Sequence, residues 1–205
     1  MKAKKKDIRA LSREEIRDFF QNTGDKAFRG NQVYEWLWSK GAHHFDDMTN
    51  ISKETRELLS DHFVINHIEV DSIQKSKDGT IKNAVKLFDG LIVESVLIPT
   101  PSRTTACVST QVGCSLDCKF CATARLKKMR NLNPDEIYDQ VKAIDQESKL
   151  YHSRPLSNIV FMGMGEPLMN YNNVLKSIDK ITSEEGLGMS PKRITVSTSG
   201  GAKND

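Results

Sequence analysis

The sequence predicts an α/β fold preceded by a small helical domain and a β-meander, and three features of the chain support this prediction. The first third shows helical patterns, the next stretch shows alternating strand patterns, and strands alternate with helices from Thr104 onward. Strand–helix–strand units place parallel strands side by side through right-handed connections. We therefore expect a helical domain over residues 1–66, a β-meander over 67–100 and a parallel α/β domain over 101–205.

The helical domain is predicted from helix start signals and from apolar spacing. Ser12 and Glu15 form a capping-box pattern, which predicts a helix that ends near residue 21. A second helix is expected over about 29–39, where apolar side chains recur at helical spacing. A third helix should begin near Ser52, because serine is a favourable N-cap residue.

The strands are predicted from alternating polarity and from the turn residues between them. Residues 68–73, 81–88 and 91–98 are the expected meander strands, and the Asp-Gly pairs between them are typical of hairpin turns. An Asn-Pro pair at 133–134 is typical of a helix start. The α/β domain is expected to contain strands 106–109, 158–162 and 193–197 and helices 133–147 and 172–183.

Composition and charge are those of an ordinary globular protein. The 205 residues include 30 Lys and Arg against 27 Asp and Glu, with a formal net charge of +3, and 38% are hydrophobic. No apolar stretch approaches the about 18 residues of a membrane span. Polar residues follow the basic N-terminus, where a signal peptide needs an apolar core. We expect a cytoplasmic protein that is a monomer and has no membrane partner.

The four cysteines indicate a metal site. All lie within residues 107–121, and three of them have the spacing Cys114-x3-Cys118-x2-Cys121. In a reducing compartment such a cluster favours a metal or redox centre over a disulfide framework. Three thiolates on one loop can hold three irons of a [4Fe–4S] cluster, which leaves the fourth iron open to a cofactor. The alternative is a zinc site made from three or all four thiolates.

Two further motifs follow predicted strands. The segment Gly163-Met-Gly165-Glu166-Pro167 follows strand 158–162, where glycines let a ligand approach the backbone and Glu166 could accept a bond from an ammonium group. The segment Ser197-Thr-Ser-Gly200 ends strand 193–197, and its hydroxyls could bond a ribose or a carboxylate. The alternatives are an ordinary strand-to-helix turn and a helix cap. These motifs lie at the carboxyl ends of strands, where βα-barrels place their active sites.

Together these motifs resemble the radical S-adenosylmethionine (SAM) superfamily, in which an aromatic residue such as Phe120 commonly precedes the last cluster cysteine. Within it, the sequence resembles the RlmN family of dual-specificity (adenine-C2)-methyltransferases for ribosomal and transfer RNA. Cfr-type adenine-C8 enzymes are their relatives. The resemblance implies the first half of a (βα)6 TIM-like barrel. It is carried by segments 28–33, 93–99, 107–114, 130–132, 163–167 and 197–200.

The resemblance also implies a reaction, cofactors and residue roles. The reaction methylates C2 of adenine in 23S rRNA and in tRNA through a methyl-cysteine intermediate, with a [4Fe–4S] cluster, SAM and an external electron donor such as flavodoxin. The implied site residues are Cys114, Cys118 and Cys121 for the cluster, Gly165, Glu166 and Ser197 for SAM, Glu94 as proton acceptor and Cys107 as the cysteine that resolves a protein–RNA adduct.

Other interpretations stay open for some of these positions. On a regular strand Glu94 shares a face with Ile92 and Val96, and that face could simply look to solvent. A lone cysteine such as Cys107 is most often a small core residue. For the chain as a whole, the alternatives are a Cfr-type adenine-C8 methyltransferase and a noncatalytic zinc-binding RNA module.

RNA contact and chain length are two further expectations. By family analogy the helical domain and two basic runs contact RNA, although charge alone favours solvated segments. The family continues for about half a barrel after the segment 197–200 and carries its methyl-bearing cysteine there, so we expect a C-terminally truncated chain that is inactive alone. The basic runs are Lys2, Lys4, Lys5, Lys6 and Arg9, and Arg125, Lys127, Lys128 and Arg130.

Overall fold

The computed structural model describes residues 5–200, which form two compact units. The N-terminal unit comprises the chain up to Asn66 together with Glu184–Leu187, and the sheet unit comprises His67–Ser183 and the residues from Gly188 onward. Lys2 and Lys4 of the first basic run lie outside the described residues. No helix between residues 5 and 200 has the length and apolarity that a membrane crossing requires.

Helices make up most of the N-terminal unit. Helix α2 continues through a π-helical segment, Trp36–Lys40, and ends at Gly41. Two short strands, β1 (Lys6–Asp7) and β2 (Phe63–Val64), pair in parallel. The three predicted helices are confirmed, whereas the π-helical segment is not distinguishable from an α-helix by apolar spacing. The helices are α1 (Arg13–Asn22), α2 (Phe28–Glu35) and α3 (Lys53–His62).

The start of α1 shows the predicted capping box. The Ser12 hydroxyl accepts the Glu15 N–H at 3.1 Å, and the Glu15 carboxylate accepts the Ser12 N–H at 2.6 Å. These two bonds satisfy backbone donors that the first helical turn leaves without partners. The apolar face of the helix is buried through Ile16 and Phe20. Local sequence therefore determines both where α1 begins and which face it buries.

The sheet unit is built on one six-stranded sheet with the order β10-β9-β6-β5-β4-β3. A separate two-stranded ladder, β7 and β8, lies outside this sheet. The strands are β3 (Glu69–Lys75), β4 (Ile81–Lys86), β5 (Ile92–Pro99), β6 (Thr104–Cys107), β7 (Gln111–Val112), β8 (Arg130–Asn131), β9 (Asn158–Phe161) and β10 (Ile194–Val196), and the helices are α4 (Pro134–His152) and α5 (Tyr171–Thr182).

The sheet changes from antiparallel to parallel at β6. Strands β3 to β6 pair antiparallel in sequence order, so the strands predicted over 67–100 continue directly into the sheet. Strands β6, β9 and β10 then pair in parallel, with α4 and α5 as the connections. This confirms a mixed α/β fold with an open sheet and a helical N-terminal region.

The two faces of the sheet differ in burial. On β5, Val93 and Leu97 are fully buried on the face that α4 contacts. Ile92, Glu94 and Ile98 alternate with them and stay exposed on the other face, which we call the open face. The predicted sharing of one face by Glu94 and Ile92 is therefore confirmed.

A buried carboxyl group lies beneath the covered face. The Glu147 carboxylate on α4 accepts a bond from the Asn83 side-chain amide at 2.8 Å, and both residues are buried. Burial raises the pKa of Glu147, and the bond from Asn83 only partly opposes this effect. The Asn83 amide oxygen and the Ser95 hydroxyl have no hydrogen-bond partner within residues 5–200. The cluster therefore leaves the Asn83 amide oxygen without a donor from this part of the chain.

Replacing Glu147 by glutamine should stabilise the protein at neutral pH by about 1 kcal/mol, because the amide stays neutral and adds a donor. A carboxyl group with a raised folded pKa stabilises the fold only while it is protonated. That contribution is present below the unfolded pKa of about 4.3 and is lost as the pH rises through the folded pKa.

Urea unfolding of Glu147→Gln and of the wild type at pH 5 and pH 7.5 checks this prediction. The advantage of the variant should shrink toward pH 5. Glu69→Gln is the control, because Glu69 is exposed on β3. A variant that is less stable than the wild type at pH 7.5 would contradict the account.

Candidate functional site

The three cysteines of the Cys-x3-Cys-x2-Cys motif lie on one closed loop. Strands β7 and β8 pair antiparallel, with Gln111 opposite Asn131, and thereby close residues 113–129 into what we call the cysteine loop. Across its neck the Cys114 N–H donates to the Leu126 carbonyl at 3.4 Å. All four cysteines of the chain are free and half-buried.

The neck of the cysteine loop depends on a glycine. Gly113 has a φ of 72°, a conformation that L side chains rarely adopt. A Cβ atom at this position would lie 2.3 Å from the carbonyl oxygen of Lys127. The loop can therefore close at this point only because residue 113 has no side chain.

The chemistry of the loop fits an iron–sulfur cluster, since thiolates are the usual ligands of such clusters. A hydrogen bond from the Ala124 N–H lowers the pKa of Cys121 and so favours the thiolate form that metal binding needs. Within residues 5–200, however, no three His, Cys, Asp or Glu side chains are gathered into a preassembled metal site. The structure thus places the three cysteines on one loop without bringing their sulfur atoms together.

The segment Gly163–Pro167, here called the glycine turn, lies against the strand that enters the cysteine loop. The Thr110 N–H donates to the Met164 carbonyl at 2.8 Å. A Cβ atom on Gly163 would lie 2.6 Å from the Val108 carbonyl oxygen. One on Gly165, whose φ is 95°, would lie 2.5 Å from the Gln111 Cβ. Both glycines therefore permit a close approach between two backbone segments.

Glu166 joins the glycine turn to the serine segment, residues 197–200. Its carboxylate accepts the Ser199 N–H at 3.0 Å and the Leu168 N–H at 3.1 Å. Burial opposes ionisation of Glu166, but the bonds from Ser199, Thr198 and Leu168 outweigh it, so the pKa of Glu166 lies below its usual range. An ionised carboxylate has about four acceptor sites, and the backbone and side-chain bonds of Ser199, Thr198 and Leu168 occupy them, so a ligand's ammonium group would have to replace one of these bonds.

The serine segment contacts Glu166 through residues that the sequence analysis did not select. Ser197, the predicted SAM contact, is exposed, whereas Thr198 and Ser199 bond to the Glu166 carboxylate. All three hydroxyl residues stand in the same motif. Only the hydrogen bonds formed after the end of β10 show that Thr198 and Ser199, and not Ser197, reach Glu166.

Glu94 and Cys107 lie close together on the open face. Cys107 stands directly opposite Val96, and Glu94 lies two residues from Val96 on the same face of β5. Such diagonal neighbours are separated by about 7–8 Å. Burial raises the pKa of Cys107, and a bond from the Met162 N–H opposes this only in part, which favours the neutral thiol at neutral pH.

Lys82 is a residue of this face that the sequence analysis missed. Its ammonium nitrogen lies 3.0 Å from Glu94 Oε1, and both side chains are partly exposed. Lys82 stands opposite Val96 in the β4–β5 register, next to the position of Glu94. The alternation of β4 places Lys82 on one face, but only the register between strands shows that this face is the one with Glu94.

The basic runs are only partly free for contacts with RNA, which corrects the prediction at two positions. Arg130 forms a two-fold ion pair with Glu136, at 2.8 Å for both bonds, and its Nε donates to Asp89 at 2.6 Å. Arg9 is buried and donates to the Asn66 carbonyl. Arg9 is buried and Arg130 is partly buried, and both guanidinium groups bond to carboxylate or carbonyl oxygens of the chain itself, so both arginines have a structural role.

Comparison with known proteins follows the same division of the chain. Residues 6–65 match the family model described as the ribosomal RNA large subunit methyltransferase N-terminal domain. Residues 108–204 match the model of the radical SAM superfamily. The matched segments include the cysteine loop, the glycine turn and the serine segment.

Curated relatives and a solved structure match nearly the whole chain. A probable dual-specificity RNA methyltransferase RlmN from Flavobacterium psychrophilum is 78% identical over 203 residues, which are 99% of this chain and 58% of that protein. The RlmN enzyme of Nitratidesulfovibrio vulgaris is 47% identical over 95% of this chain and 56% of its own. The crystal structure of a radical SAM methyltransferase from Sphaerobacter thermophilus has a TM-score of 0.82 and 35% identity, covering 95% of this chain and 57% of that chain.

The open sheet, the cysteine loop, the glycine turn and the serine segment are those of a radical SAM protein. Within that superfamily the chain belongs to the RlmN family of RNA methyltransferases. It spans 56–58% of the length of the curated relatives described above.

Proposed function

We propose that this chain provides the cluster-binding and SAM-binding part of an RNA methyltransferase that modifies C2 of adenine in 23S rRNA and in tRNA. The main supporting observation is the assembly of three motifs at one end of the parallel strands. The segment that enters the cysteine loop contacts the glycine turn through the 2.8 Å bond from the Thr110 N–H to the Met164 carbonyl, and the serine segment contacts it through the 3.0 Å bond between Ser199 and Glu166. Active sites of βα-barrels lie at this end, and we infer that β6, β9 and β10 belong to the first half of such a barrel.

Cys114, Cys118 and Cys121 would each bind one iron of a [4Fe–4S] cluster and leave one iron for SAM. The chemistry that the bound group supplies is the one-electron cleavage of SAM, with the electron from an external donor such as flavodoxin. The protein residues provide binding and placement. The Gly165 backbone would contact SAM, the ionised Glu166 would accept a bond from the SAM ammonium group, and Ser197 would bond its ribose or carboxylate.

On the open face, Glu94 would accept the proton that leaves the adenine carbon, and Cys107 would resolve the protein–RNA adduct by forming a disulfide. The Glu94 carboxylate pairs with the Lys82 ammonium group at 3.0 Å on this face. The raised pKa of Cys107 keeps this thiol protonated until the adduct forms. No cysteine follows Cys121 in the sequence, so the methyl-bearing cysteine of the family has no counterpart in residues 122–205.

The N-terminal unit would supply part of the RNA contact. It contains a cavity of about 430 Å³ whose lining includes three cationic side chains. Arg56 pairs with Asp46 at 3.3 Å and Lys53 with Glu57 at 3.7 Å, and both acids also line the cavity, so a phosphate would compete with these carboxylates for the cations. The cations of this cavity are Lys5, Lys53 and Arg56.

Anaerobic reconstitution of the 205-residue chain with iron and sulfide tests the proposal. We expect about four irons per chain and a change in the electron paramagnetic resonance (EPR) spectrum of the reduced cluster when SAM is added. Cys114→Ser, Cys118→Ser and Cys121→Ser should each lose most of the iron, whereas Cys107→Ser should keep it. Stoichiometric zinc without iron would instead establish the noncatalytic zinc module.

A further inference from the structure

We propose that Gln111 is a positioning residue that holds the Glu166 backbone in register with the base of the cysteine loop. The inference rests on the proposed function, because it assigns Gln111 a role in SAM binding. Gln111 is not placed to be a cluster ligand, and its side chain is occupied by two protein partners.

Both the oxygen and the nitrogen of the Gln111 side-chain amide form hydrogen bonds. Its oxygen accepts the Glu166 N–H at 2.9 Å, and its nitrogen donates to the Asn131 side-chain oxygen at 2.8 Å. The residue is completely buried. Hydrogen bonds in such a dry environment are strong and directional, and a lost partner leaves a buried polar group unsatisfied.

The position of Gln111 connects two motifs of the site. It lies on β7, three residues before Cys114, and pairs with Asn131 of β8. One side chain therefore contacts both strands at the base of the cysteine loop and also the residue of the glycine turn that would receive the SAM ammonium group.

Gly165 makes this connection possible. A Cβ atom at position 165 would lie 2.5 Å from the Gln111 Cβ and 2.6 Å from its Cγ, so the stem of Gln111 occupies the space that a side chain would need. SAM would have to reach the open iron and Glu166 at the same time. A shift of the Glu166 backbone would misplace its carboxylate relative to the open iron, so the spacing that Gln111 sets should control SAM affinity.

Gln140 offers a matched control. It is also completely buried, and its amide bonds to the Ser109 N–H at 3.0 Å and to the Ser109 carbonyl at 3.2 Å. It forms no hydrogen bond to Glu166 or Asn131 in the structure. Replacing either glutamine by methionine thus removes a buried amide of the same size, but only one replacement removes the link to Glu166.

The experiment compares Gln111→Met and Gln140→Met after anaerobic reconstitution. Gln111→Met should keep the iron content of the wild type and bind SAM about tenfold more weakly, with a smaller SAM-induced change in the EPR spectrum of the reduced cluster. Gln140→Met should bind SAM as the wild type does. Equal SAM affinity in Gln111→Met and the wild type, or equal losses in both variants, would overturn the inference.

A second measurement needs no cluster. In the metal-free protein, hydrogen exchange of the Glu166 amide should accelerate in Gln111→Met and stay unchanged in Gln140→Met. Gln111→Glu keeps a side-chain oxygen that can accept the Glu166 N–H, so the Glu166 amide should stay protected from exchange in this variant. The comparison separates loss of this hydrogen bond from a general folding defect in Gln111→Met. Failure of the wild type to take up iron would count against the proposed function, whereas an unchanged Glu166 amide in Gln111→Met would count against the positioning role.

Discussion

Gly113→Ala should abolish iron uptake by the cysteine loop. The added methyl group would lie 2.3 Å from the Lys127 carbonyl oxygen and 2.8 Å from the Lys127 carbonyl carbon, and both are backbone atoms. Alanine at a φ of 72° also costs about 1–2 kcal/mol in backbone energy. The neck of the loop must therefore open, which separates Cys114 from the other two cysteines.

Iron and sulfide content after anaerobic reconstitution measures this effect. Gly90→Ala is the matched control, because Gly90 has a similar φ of 82° but no atom within 4 Å of the position of an added Cβ. The control should lose some stability and keep the wild-type iron content. If Gly113→Ala also bound about four irons per chain, the closed neck would not be needed for the cluster.

Arg130→Met should destabilise the sheet unit by about 3–5 kcal/mol, the usual cost of removing one partner from a buried ion pair. Arg130 donates two bonds of 2.8 Å to Glu136, whose side chain is only 2% exposed. Without Arg130 this carboxylate stays buried without a countercharge. Asp89 would lose its 2.6 Å bond as well.

Urea unfolding at pH 7.5 measures the loss, with Lys86→Met as the control. Lys86 lies 3.7 Å from Glu69 and both side chains are about half exposed or more, so its removal should cost less than about 1 kcal/mol. The double variant Arg130→Met with Glu136→Met should recover much of the stability, since it leaves no unpaired buried charge. A loss below about 1 kcal/mol in Arg130→Met would show that Glu136 is solvated after all.

Local sequence signals predicted much of the fold. The capping box at Ser12, the Asn133-Pro134 start of α4 and the alternation along β5 each depend on neighbouring residues, and each is found in the structure. The three cysteines lie within eight residues, 114–121, and this short spacing likewise predicts that they share one loop. These features follow from backbone hydrogen bonding and side-chain periodicity, which are properties of short segments.

Contacts between distant segments could not be predicted in the same way. The partners Gln111 and Glu166 are 55 residues apart, and Asn83 and Glu147 are 64 apart. Lys82 meets Glu94 only through the β4–β5 register. The sequence places Arg130 in a basic run, but charge spacing does not reveal that Glu136 and Asp89 bind its guanidinium group. Strand pairing and helix packing determine these contacts, and no short stretch of sequence contains that information.

The two outer strands of the sheet have different tendencies to recruit a further strand. Strand β3 is exposed along all seven residues, carries Glu69, Asp71 and Lys75, and has a register shift between Val70 and Ser72. Charges and irregular pairing of this kind discourage edge-to-edge addition. Strand β10, Ile194–Val196, contains no charged residue. The β10 edge is therefore the one suited to pairing with a further strand, as the barrel inferred above requires.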